Sequence, residues 1–132
     1  MIDAPKTEGV GSPELPALDP EALDRLKRFG GGKLLREMIA LFLVAAPERL
    51  AAASAGVDAG NASEMEMALH SLKSSSAQLG ALRMQRLSER GEMLARSGSA
   101  DVVDPVRALV KDLEEEFVHV RAWLTKTSEE SA

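Results

Sequence analysis

The chain has no cysteine, which excludes disulfides and thiolate metal sites. Aromatic residues make up only 3% of it, and its apolar content is mostly Leu, Ala, Val and Met, residues that suit helices more than strands. His70 and His119 are the only histidines, and no HExxH pattern occurs, so no metal site is expected. There is no long uncharged apolar run, and no membrane span is expected. The N-terminus shows no basic, apolar, small-residue order of the kind a secretory signal carries, and a cytoplasmic location is expected. A formal net charge of −5 argues against a nucleic-acid backbone as the main partner.

What is present suits one soluble domain. The 132 residues suffice for a single core, with 45% hydrophobic and 28% charged residues. Residues 1–17 hold Pro5, Pro13 and Pro16 with Gly9, Gly11 and Ser12, and read as a disordered arm. Residues 127–132 read as a disordered tail. Between them, over residues 18–126, lie five helical patterns and no strand alternation.

Asp19-Pro20-Glu21 is a helix start, and the short helix it opens should stop at the glycines of positions 30–32. A long second helix then presents Leu34, Leu35, Met38, Leu41, Phe42 and Ala45, is expected to bend at Pro47, and fades near Gly56. Asn61-Ala-Ser-Glu64 resembles a capping box and opens a third helix that ends near Gly80. A fourth carries Met84, Leu87, Gly91 and Leu94 inward and stops near Gly98. Asp104-Pro105 signals a fifth, with Val106, Leu109 or Val110, Leu113, Phe117, Val120 and Leu124 inward. Short loops make sequence neighbours pack antiparallel. The expected fold is all-α, an antiparallel up-down four-helix bundle with a short additional N-terminal helix. Such a bundle looks complete, and a monomer is the expectation.

The third helix carries the informative run, His70-Ser71-Leu72-Lys73-Ser74-Ser75-Ser76-Ala77-Gln78-Leu79-Gly80-Ala81. On a helical wheel Met65, Ala68, Leu69, Leu72, Ser76 and Leu79 form one stripe, and His70 lies about 150° from its middle. His70 therefore faces outward, with Glu66, Lys73, Ser74 and Ala77 around it. Ser74 and Ala77 are small enough for another protein's backbone to approach the imidazole. A nucleophilic nitrogen beside a fixed positive charge, three residues apart on one face, is what reversible phosphoryl transfer needs. An ordinary histidine has a pKa near 6.5 and is largely neutral, hence nucleophilic, at cytoplasmic pH. Against this stands the plain reading of a surface histidine and a solvated lysine on a polar helix face.

The run resembles that of histidine-containing phosphotransfer (HPt) domains of multistep two-component signalling. Their pattern is close to His-x-Leu-Lys-Gly-x-Ser/Ala-x-x-Leu-Gly, and His70, Leu72, Lys73, Ser76, Leu79 and Gly80 match it. Ser74 departs from it, standing where the family usually has a glycine against which a partner docks. The resemblance implies a phosphorelay intermediate. His70 would accept a phosphoryl group from a receiver-domain aspartate and pass it to another receiver. Lys73 would stabilise phosphoryl charge. Glu92, 22 positions after His70, would accept a hydrogen bond from imidazole Nδ1, and Arg96 would contact the phosphoryl group. The plain alternative for Glu92 and Arg96 is an i,i+4 surface pair. Ser74, Ala77 and Gln78 would meet the partner, although Gln78 equally suits capping the turn. His119 has no companion cluster and reads as solvated.

The implied partners are response-regulator receiver domains and a hybrid histidine kinase. No cofactor of its own is implied, the Mg²⁺ belonging to the receiver, and neither is kinase activity. The competing readings are a catalytically inert helical adaptor that binds a signalling partner through the same face, and a metal or small-molecule bundle, which the apolar inward stripes disfavour.

Overall fold

The computed structural model describes residues 15–131. They form α1 (Pro20–Ala59), α2 (Ala62–Gln78), α3 (Leu82–Arg96), a 3₁₀ turn (Ala100–Val102) and α4 (Val103–Glu130). Neighbours in sequence pack together, and α4 closes the ring against α1. The expected all-α four-helix bundle is the fold found.

The short leading helix and the long one are joined into α1, but the glycines still break it. Gly31 alone within α1 leaves helical dihedrals, with φ 79°. Pro47 does not break the helix; it lies on the exposed side and the dihedrals around it stay helical. Asp19 caps the start by accepting from the Glu21 amide at 3.1 Å. Asn61 Oδ1 accepts from the Glu64 amide at 3.1 Å, the N-cap half of the expected box. The last helix begins just before Asp104, because Ser99 Oγ caps the preceding 3₁₀ turn through the Asp101 amide.

Two expected boundaries change. Helix α4 runs through the presumed tail to Glu130. No glycine or proline follows Pro105 to stop it, Thr127 Oγ1 donates to the Trp123 carbonyl, and Arg36 Nη1 of α1 donates to the Ser131 carbonyl. At the other end, residues 1–14 of the presumed arm lie outside the described residues. Pro16 and Ala17 are non-helical yet held, their carbonyls accepting from Arg86 Nη2 and the Arg83 amide of α3.

The whole α2 stripe is buried, Ser76 included, as is every residue expected inward on the last helix, both Leu109 and Val110 among them. In α1 the inward set is Leu35, Ile39, Phe42, Ala46, Leu50, Ala53 and Val57. Leu41, part of the apolar pattern that marked this helix in the sequence, is 68% exposed. A stretch of α1 is long and apolar enough to cross a membrane by length and composition alone; of its large side chains, Ile39, Phe42 and Leu50 are buried in the bundle, and Leu41 and Val44 are exposed. Phe42 meets Phe117 of α4 with ring centroids 6.1 Å apart. Each fully buried Leu or Phe contributes roughly 1.5–3 kcal/mol, most of which chain entropy offsets.

The Leu79-Gly80 turn ties the leading helix to the end of α2. Gly80 has φ 74°, and a Cβ there would sit 2.4 Å from the Asp19 carbonyl oxygen. The Asp19 amide donates to the Gly80 carbonyl at 2.8 Å. Gly80→Ala is expected to destabilise the domain by about 2 kcal/mol or more, through both strain and collision. Urea unfolding measures this; an unchanged midpoint would show that the turn is not held as described.

Candidate functional site

The site lies between α2 and α3, which pack closely. Gly91 of α3 allows this, since a Cβ there would lie 2.8 Å from Leu69 Cδ1. The next residue, Glu92, is thereby brought under the α2 face and is only 1% exposed. A carboxylate so buried requires partners. His70 Nδ1 lies 2.7 Å from Glu92 Oε2. Arg96 Nη2, one turn along α3, donates to the same oxygen at 2.7 Å. Lys73 Nζ forms an ion pair with Oε1 at 2.8 Å.

These contacts fix the protonation pattern. Burial pushes the Glu92 carboxyl up, but the contacts with Lys73 and His70 and their charges outweigh it, and its pKa is lowered overall. Glu92 is therefore ionised at neutral pH, and an ionised carboxylate only accepts hydrogen bonds. The proton on the neutral imidazole must then be on Nδ1, which leaves the Nε2 lone pair free. The His70 side chain is 61% exposed, so that lone pair is open to a partner.

The surroundings of His70 keep it accessible. Ser74, Ala77 and Gln78 are all exposed on α2. A groove between α1 and α2 runs past Met67 and Ser71 and is lined across from them by Arg49, Ala52 and Ala55. A second groove is lined by Leu41, Ala45, Ser75 and Gln78. Arg49 Nε donates to Ser71 Oγ at 3.0 Å, a contact across the helices that neither helix's own spacing announced.

Residues 37–123 match the family model of the Hpt domain. The chain belongs to the Hpt domain family. No curated protein sequence matches it significantly. Its fold is similar to the crystal structure of histidine-containing phosphotransfer protein B (HptB) from Pseudomonas aeruginosa PAO1, with a TM-score of 0.81 and 26% identity, covering 89% of this chain and 98% of that one.

In this Hpt domain the four residues singled out in the sequence, His70, Lys73, Glu92 and Arg96, come together around one carboxylate. Lys73 is drawn onto Glu92 and is 29% exposed, rather than standing free beside the imidazole. Arg96 makes the i,i+4 pair with Glu92 but also reaches Glu66 of α2 through Nε at 2.8 Å. That second contact was missed; Glu66 precedes His70 by four residues on the same face, but spacing within α2 carries no signal of a contact to α3. His119 is exposed on α4, as expected.

The lowered Glu92 pKa gives a signed prediction. The folded state holds Glu92 ionised below the ordinary carboxyl value of 4.5, whereas the unfolded chain takes up the proton first. The stability that Glu92 contributes is present above about 4.5 and is lost as pH falls through its lower folded pKa. The native chain should therefore lose stability on acidification below this point faster than Glu92→Gln does. Denaturant midpoints of the two proteins against pH check this, and a constant difference from neutral pH to about 3 would contradict it.

Proposed function

We propose that this Hpt domain is a phosphorelay intermediate that carries the phosphoryl group on His70, taking it from one receiver-domain aspartate and giving it to another. The observation that supports this best is the exposed imidazole whose Nδ1 faces a buried, ionised carboxylate.

The chemistry follows from that arrangement. Nε2 attacks the phosphorus of an aspartyl phosphate; the Nε2–P bond forms as the aspartyl O–P bond breaks, and the receiver's carboxylate leaves. The proton stays on Nδ1, so the ring gains positive charge, which Glu92 is placed to balance. The transferring group spreads negative charge over its oxygens, and catalysis is chiefly positioning and charge stabilisation. Lys73, on the His70 face, supplies a point charge for that purpose, and it must turn from Glu92 Oε1 to serve. Return transfer is the same path reversed.

The exposed apolar side chains Leu41 and Met67, with the small residues Ser74 and Ala77, suit a receiver docked over α1 and α2. A receiver, and the hybrid histidine kinase that would load it, place the work in the cytoplasm. The receiver would bring the Mg²⁺, and the domain would need no kinase activity of its own.

The test is transfer from a panel of phosphorylated receivers to the native chain and to His70→Gln. Acid-labile, alkali-stable label is expected on the native chain alone, with unchanged helicity in the variant. Full labelling of His70→Gln would remove the assignment. A folded native chain that binds a receiver yet takes no label from it would support the inert adaptor.

A further inference from the structure

Glu66 takes no part in the transfer chemistry described above, yet it is joined to the site. It stands one turn before His70 on α2, and its side chain is 34% exposed. Its Oε2 accepts from Arg96 Nε at 2.8 Å, while Nη2 of the same guanidinium donates to Glu92 Oε2 at 2.7 Å. That Glu92 oxygen also faces His70 Nδ1 at 2.7 Å. Arg96 is shared between carboxylates on two helices, and its guanidinium meets the same Glu92 oxygen as the imidazole. The contact with Glu66, then the charges of Glu66 and Glu92, raise its pKa.

The charges decide what Glu66 does. Glu92 faces two cations, Lys73 and Arg96, so these three groups are together positive. Glu66 adds the carboxylate that makes the cluster neutral. A phosphoryl group brings close to two negative charges. An arginine fork matches phosphoryl oxygens well, and a free Arg96 would turn toward them.

We propose that Glu66 is a positioning residue that sets the energy of the phosphohistidine, by holding Arg96 back on Glu92 and cancelling the positive charge of the cluster. The phosphoryl group is then held loosely enough to leave for the next receiver. Removing the Glu66 charge makes the domain a better acceptor and a poorer donor. The inference rests on the phosphorelay reading, but its test does not need a receiver.

Phosphoramidate serves as the donor: its P–N bond breaks, the Nε2–P bond forms, and ammonia leaves. At fixed phosphoramidate and ammonium, the ratio of labelled to unlabelled chain reports the phosphohistidine energy. Glu66→Gln should raise that ratio about fivefold, as expected for one released charge-assisted contact near the surface. In an Arg96→Gln background the same change should move it less than about twofold, because the effect acts through Arg96. Added salt should narrow the native-to-variant difference. An unchanged ratio in Glu66→Gln, or an equal rise without Arg96, would overturn the proposal. A chain that takes label from phosphoramidate but exchanges it with no receiver would instead remove the relay reading, whatever Glu66 does.

Discussion

A buried carboxylate is the constraint on which this site depends. Removing an ion from water costs several kcal/mol unless its oxygens are matched by charge and hydrogen bonds. Glu92, 1% exposed, meets this with His70 and Arg96 on Oε2 and Lys73 on Oε1. The need to satisfy Glu92 orients the imidazole, selects its tautomer and gathers two cations on the carboxylate that the imidazole faces. One burial event therefore does work that separate surface contacts would do weakly, since exposed pairs are worth little.

The bundle exists around that carboxylate in a definite way. Gly91 lets α3 close on Leu69, and the Gly80 turn fixes where α2 ends and the leading helix begins. The apolar stripe Met65, Leu69, Leu72 and Leu79 anchors α2 from below and leaves His70 on the opposite side. Rigidity in the core and openness at Nε2 come from the same helix. The bundle supplies the site with a fixed imidazole and nearby charge, held by the packing of α2 against α3.

The sequence disclosed the site more fully than it disclosed α1. The α2 stripe was legible because that helix is apolar on one side only, so its period is unambiguous. From Met38 to Ala46 every residue of α1 is apolar, and there the period cannot distinguish Ile39, which is buried, from Leu41, which is exposed. The helical end of α4 was hidden by its polar composition, because the stabilising contact comes from Arg36, 95 positions away. Glu66 was placed correctly near His70, but its hold on Arg96 joins two helices and cannot be read from the spacing within either.

The central claim is that Glu92 holds the His70 proton on Nδ1 and leaves Nε2 bare. Long-range ¹H–¹⁵N NMR of the native chain at about pH 8, where an ordinary imidazole is neutral, measures this directly. The account predicts a protonated Nδ1 and an unprotonated Nε2. A proton found on Nε2, with Nδ1 bare, would contradict it.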